Sequence, residues 1–167
     1  MKKLNNKGFS LVELIIVIAI MAILVGVVGT QVIPYLESSR KSKDEQIFSA
    51  WNTAAVSAYS MEAGNLNASA EYKIVATMSA GTDGKFKFTF TETSGKTNGT
   101  KLLDKFCELC NITKNGTNYE KEFTIASKAG QELKTVTMSI NGGNGAVTTT
   151  YEDKDGGTSK FDKITNE

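Results

Sequence analysis

Residues 7–36, KGFSLVELIIVIAIMAILVGVVGTQVIPYL, put a basic flank and a single carboxylate ahead of an otherwise apolar run. No formal charge falls between Glu13 and Glu37, and residues 14–28 are apolar throughout, broken only by Gly26. A segment that is apolar on every side is stable only in a membrane or in a core made of similar helices. As a helix, Phe9 to Leu36 would extend about 42 Å at about 1.5 Å per residue, against a hydrocarbon core of about 30 Å. Lys2, Lys3 and Lys7 precede the run. By the positive-inside rule they keep the N-terminus cytoplasmic and put the bulk of the chain outside.

Two ordinary kinds of segment share these features. A cleaved secretory signal has a basic flank and an apolar stretch, but it ends in a small-x-small cleavage site. No A-x-A pattern closes this run, which is also long for a signal and carries Glu13 at its mouth. A permanent single-span anchor accounts for length and charge and leaves Glu13 unexplained. An intramembrane carboxylate costs on the order of 2.5 to 3.5 kcal/mol on insertion scales.

The stretch KGFSLVELIIVIAIMAIL, residues 7–24, resembles the N-terminus of type IV prepilins and their pseudopilin relatives. The resemblance implies an eight-residue leader, 1–8, cut between Gly8 and Phe9 by a membrane aspartyl prepilin peptidase that then N-methylates Phe9. Loss of the three leader Lys turns a formal charge of +1 into a small negative one. The chemistry is sensible in its own right. Gly8 has no side chain and lets a protease approach the backbone. Phe9 becomes a positively charged terminus, and Glu13, four residues on, lies one turn along the same helical face. In a bundle, Glu13 of one subunit would meet the Phe9 ammonium of its neighbour and fix axial register. Alternatively, Glu13 is an interfacial carboxylate that reaches water.

Gly26, Gly29 and Pro34 are weak helix positions, Gly costing about 1 kcal/mol relative to Ala and Pro about 3. The expectation is local flexibility there, as in pilin helices that partly unwind in the fibre, or else a benign kink. Residues 37–63 turn polar and then amphipathic. Ile47, Phe48, Trp51, Ala54 or Ala55, Ala58, Tyr59 and Met61 fall at helical spacing, with Gly64 and Asn65 as a stop. One helix is therefore expected from about residue 9 to about residue 63. Its first part, 9–36, serves membrane and assembly, and its second, 37–63, covers a head formed by 64–167.

In the head the helical pattern gives way. KFKFTFT (85–91), EKEFTIAS (120–127), LKTVTMSI (133–140) and AVTTTY (146–151) alternate as strands, the last two joined by NGGNG as a hairpin. LLDKFCELC (102–110) reads as a short amphipathic helix, and the tail from Glu152 as a turn plus an exposed or edge segment. The fold class expected is α+β, a long N-terminal helix on a small antiparallel sheet.

The chain has no His and two Cys, and its 19 basic residues nearly balance 18 acidic ones. Nothing predicts nucleic-acid binding, and the usual groups for proton transfer near neutral pH are missing. No phosphate loop or catalytic constellation is legible, and Asp44 with Glu45 reads as a solvated helix face. Cys107 and Cys110 form a C-x-x-C. Zinc lacks further ligands, and a redox motif lacks its βαβ context. A local disulfide and two reduced thiols both stay open. Four N-x-S/T sequons, at Asn67, Asn98, Asn111 and Asn115, leave glycosylation open.

The expected function is a non-enzymatic structural subunit of a type IV pilus, without cofactor or metal. It would polymerise with itself through its N-terminal helix into a surface fibre for adhesion, twitching motility or biofilm formation. The resemblance adds prepilin peptidase and an assembly platform with motor ATPases as partners. It also implies a single-pass precursor in the cytoplasmic membrane before export to the cell surface. A pseudopilin of a type II secretion or DNA-uptake system shares the same N-terminus, and a non-assembling membrane-anchored binding module is the alternative of a different class. The single Arg among 19 basic residues and the frequent Asn suggest an AT-rich genome, consistent with a clostridial-type major pilin.

Overall fold

The computed structural model describes residues 9–157 and 159–166. The leader expected at 1–8, including Gly8, lies outside the described residues. The chain divides after Ser39 into two units, both traversed by helix α1, Leu11–Glu62, which ends in a 3₁₀ turn at Ala63–Asn65.

The first unit is helix alone. Every residue from 9 to 36 is exposed, Ile, Leu and Val included. The helix continues through Gly26, Gly29 and Pro34. Pro34 has no N–H for the Thr30 carbonyl. One turn earlier, the Thr30 hydroxyl lies 3.3 Å from the Gly26 carbonyl oxygen and 3.2 Å from that of Val27.

In the second unit the strands are β1 (Glu71–Ala80), β2 (Phe86–Glu92), β3 (Thr113–Asn115), β4 (Asn118–Phe123), β5 (Leu133–Asn141), β6 (Val147–Asp153) and β7 (Ile164–Asn166). Among the described residues they form one sheet in the order β3-β4-β2-β1-β5-β6-β7, antiparallel at every pairing. Helix α2 (Gly99–Leu109) follows β2, and a single turn of helix, α3 (Lys128–Gln131), precedes β5. The architecture is α+β, as the sequence implies.

One face of α1 closes the core. Phe48, Trp51, Ala55 and Ala58 are buried on it, and Met61 is exposed, so the covered stripe stops a turn before the helix does. Trp51 meets Phe88, Phe90 and Phe123 edge-on, each at 5.1 Å between ring centroids. Edge-to-face contacts of this kind add about 0.5 to 1.5 kcal/mol each beyond area burial. Phe48 packs on Tyr151 and Phe161, so the tail also contributes to the core.

Three sequence expectations need correction. The longest strand, β1, lies where none was assigned, although Tyr72, Ile74, Ala76 and Met78 alternate inward. Glu, Ala and Met favour helix, and pairing with β2 and β5 on both sides overrides that preference. The segment 120–127 leaves the sheet after Phe123. Asp44, expected on a solvated face, is fully buried and is the reason for that departure. Its carboxylate accepts the N–H of Ala126 at 3.0 Å and that of Ser127 at 2.9 Å, together with the Ser127 hydroxyl. Gly130 is required beside it, because a Cβ there would sit 2.6 Å from Asp44 Oδ2.

The β5–β6 hairpin forms as expected, with Ile140 opposite Val147. Gly145 in its loop has φ +73°, and a Cβ would strike the Tyr59 ring. The tail returns to the sheet edge as β7, pairing with Val147–Thr149 of β6.

Candidate assembly site

Helix α1 begins at a capping box. The Ser10 carbonyl accepts the Leu14 N–H at 3.2 Å, the first turn of the helix. The Ser10 side chain lies 3.4 Å from the Val12 nitrogen, and the Ser10 N–H donates to Glu13 Oε2 at 2.9 Å. S-x-x-E is the sequence form of this box, and it satisfies backbone donors that a helix start leaves unpaired. Glu13 thus has a partner within its own chain, at the start of its own helix. Its negative charge also sits at the positive end of the helix dipole.

Phe9 immediately precedes the cap, and its side chain is 90% exposed. From Leu11 onward the helix offers aliphatic side chains all round. Gly26 and Gly29 have nothing within 4 Å of where a Cβ would lie. The chain by itself therefore gives no packing reason for a glycine at either position. The arrangement is an apolar rod with one ionisable carboxylate at its head, suited to lipid or to other apolar helices. By length and composition it can cross a membrane.

Residues 3–29 match the family model for the prokaryotic N-terminal methylation motif. That motif is the signature of type IV pilins and pseudopilins. The matched span includes Phe9, Glu13, Gly26 and Gly29 and stops before Pro34. A pilin-type motif implies processing by prepilin peptidase and assembly into a pilus-type polymer, and the apolar helix fits a membrane-anchored precursor. Comparison with curated proteins gave no match, and neither did comparison with solved structures. The pilin signature is thus a property of α1, and the head must be read from its own geometry.

In that head Cys107 and Cys110 are free thiols on the last turn of α2. Burial pushes the Cys107 thiol up to about 12 and the Cys110 thiol up to about 11, Lys121 partly opposing the second. The pair does not hold the C-terminal segment. That task falls to groups the sequence reading missed. Asn52, buried on α1, donates to the Thr149 hydroxyl at 2.9 Å and accepts from the Asn166 amide of β7. Lys154 N–H donates to the Glu132 carbonyl at 2.9 Å, and Phe161 is buried against Phe48. Both Asp44 and Asn52 lie among the buried residues of the Phe48–Trp51–Ala55 stripe, and that phase is the signal that would have found them.

Proposed function

We propose that this chain is the structural subunit of a type IV pilus, non-catalytic, cut between Gly8 and Phe9 and N-methylated at Phe9. It is held in the cytoplasmic membrane with its head outside and then polymerised into a surface fibre serving adhesion, motility or biofilm formation. The observation that carries this reading is the methylation motif at the head of a helical stretch, 11–36, whose apolar residues the chain itself leaves exposed.

Burial of those residues against neighbouring copies supplies most of the assembly energy, at about 25 cal/mol per Å² of apolar surface. Glu13 selects register. In the precursor its carboxylate is held by its own helix cap; after cleavage the Phe9 ammonium of a neighbour offers a charged partner in a low-dielectric bundle. Motor ATPases would act on this subunit from the cytoplasmic side through an assembly platform in the cytoplasmic membrane.

The deciding experiment is the intact mass and N-terminal sequence of chain recovered from sheared surface fibres. The expected species begins at methylated Phe9. A chain starting at unmodified Met1, or absence of the chain from any fibre, overturns the proposal. Short stubs confined to the envelope, in place of long surface fibres, would assign it to the pseudopilins.

A further inference from the structure

The C-x-x-C on α2 is unused by the assembly reading and has a definite geometry. Helix α2 ends in a Schellman arrangement: Asn111 has φ +50°, Asn111 N–H donates to the Glu108 carbonyl at 3.1 Å, and Ile112 N–H to the Cys107 carbonyl at 2.8 Å. Cys107 thus begins the closing turn and Cys110 is the C-cap residue, with φ −83° and ψ 0°. Residues three apart in a helix have Cα atoms about 5 Å apart, inside the disulfide window of roughly 4.4 to 6.8 Å. Their Cβ atoms are about 5 to 6 Å apart, wider than the roughly 3.5 to 4.5 Å that an S–S bond prefers. Closure therefore tightens the turn and leaves the bond under strain. Cys110, at the end where the chain already leaves the helix, is the residue that can move.

Access is unequal. Cys107 is fully buried, whereas Cys110 is half-buried. The Lys121 ammonium donates to the Cys110 carbonyl at 2.8 Å, holding a positive charge at the Cys110 end. The neighbouring Asp104, which accepts the Tyr119 hydroxyl at 2.7 Å, acts on Cys107 with the opposite sign.

We propose that Cys107 and Cys110 close reversibly into a strained disulfide on the last turn of α2, with Cys110 meeting the oxidant and Cys107 resolving the exchange. The oxidant is a small-molecule or protein disulfide. Cys110 loses its proton to solvent and attacks one sulfur, forming a mixed disulfide and expelling the first thiolate. Cys107, deprotonated in turn, attacks the Cys110 sulfur and expels the second. One external disulfide is reduced to two thiols, and the protein dithiol is oxidised to one S–S bond. Strained bonds of this type are the readily reduced ones. The inference does not depend on the pilus reading.

The test uses the full chain in detergent micelles, equilibrated with oxidised and reduced glutathione in varying ratio, quenched with acid, alkylated and weighed intact. The expected product is a folded chain two hydrogens lighter, with no alkylated Cys, that reopens in excess reduced glutathione. Its rate of formation should rise about tenfold per pH unit from pH 7 to 9, since the thiolate is the attacking species. Cys107→Ser should accumulate glutathione on Cys110, whereas folded Cys110→Ser should resist modification at Cys107. Two alkylated thiols at every glutathione ratio overturn the proposal. So does closure seen only in denaturant, or Cys107 of the Cys110→Ser chain reacting as fast as Cys110 of the Cys107→Ser chain.

Discussion

From Leu11 to Leu36 every residue of α1 is exposed, whereas between Asp44 and Ala58 the same helix buries six, two of them polar. The first stretch has one kind of side chain on all faces. The second has a stripe that changes chemistry along its length, carboxylate, then aromatic rings, then amide, then alanine. The difference is one of partner specification. A uniform apolar surface accepts any apolar surroundings, while the patterned stripe accepts one sheet only. The first stretch is marginal in water and waits for lipid or other helices; the second is already satisfied within the chain.

The contrast breaks most sharply at its two extremes. Glu13→Ala removes one partner of the pair proposed with a neighbour's Phe9 ammonium, a change that typically costs about 3 to 5 kcal/mol for a buried pair. Fibre yield in shear preparations should fall by a hundredfold or more, with the melting temperature of the head unchanged. Trp51→Ala should do the reverse of this at the head, a loss of about 3 to 5 kcal/mol of folding stability from the cavity left among Phe88, Phe90 and Phe123. Thermal unfolding followed by near-UV dichroism reports it. An unshifted transition would mean the aromatic cluster is not the core.

Asp44→Ala is expected to cost about 2 to 4 kcal/mol, because the N–H groups of Ala126 and Ser127 lose their acceptor inside the protein. Limited proteolysis should then cut between residues 124 and 131 first. Asn52→Ala is smaller, about 1 to 2 kcal/mol, and its signature is local: amide exchange should quicken in β7 before it does in β1. Gly26→Ala with Gly29→Ala is smallest and of opposite sign. Each should raise helicity in micelles by up to about 1 kcal/mol, since neither added Cβ meets anything in the chain. Reduced fibre yield from that variant would show close helix approach in the assembly.

Legibility in the sequence followed the same division. The helix across 11–36 was readable because one property, unbroken apolarity, decides the structure of such a segment. The hairpin at 133–151 was readable because alternation and an NGGNG turn agree. β1 was not, since its inward Ala76 and Met78 carry no strand signal and one of its two partners, β5, lies far along the chain. Asp44 and Asn52 were hidden for a related reason. A polar side chain on a buried stripe looks like surface until its partner, 82 residues away for Ala126 and 97 for Thr149, is known. The capping box at Ser10 and Glu13 was visible as S-x-x-E and was overshadowed by the charge-pair reading of the same carboxylate.

The sheet that α1 closes ends in a three-residue strand at each margin, β3 on one side and β7 on the other. A polymer packs its subunits at high local concentration, where a long open strand would template sideways pairing between heads. Two short margins deny it that template. In the proposed fibre these short margins would leave growth to the helix and keep neighbouring heads from fusing into a common sheet.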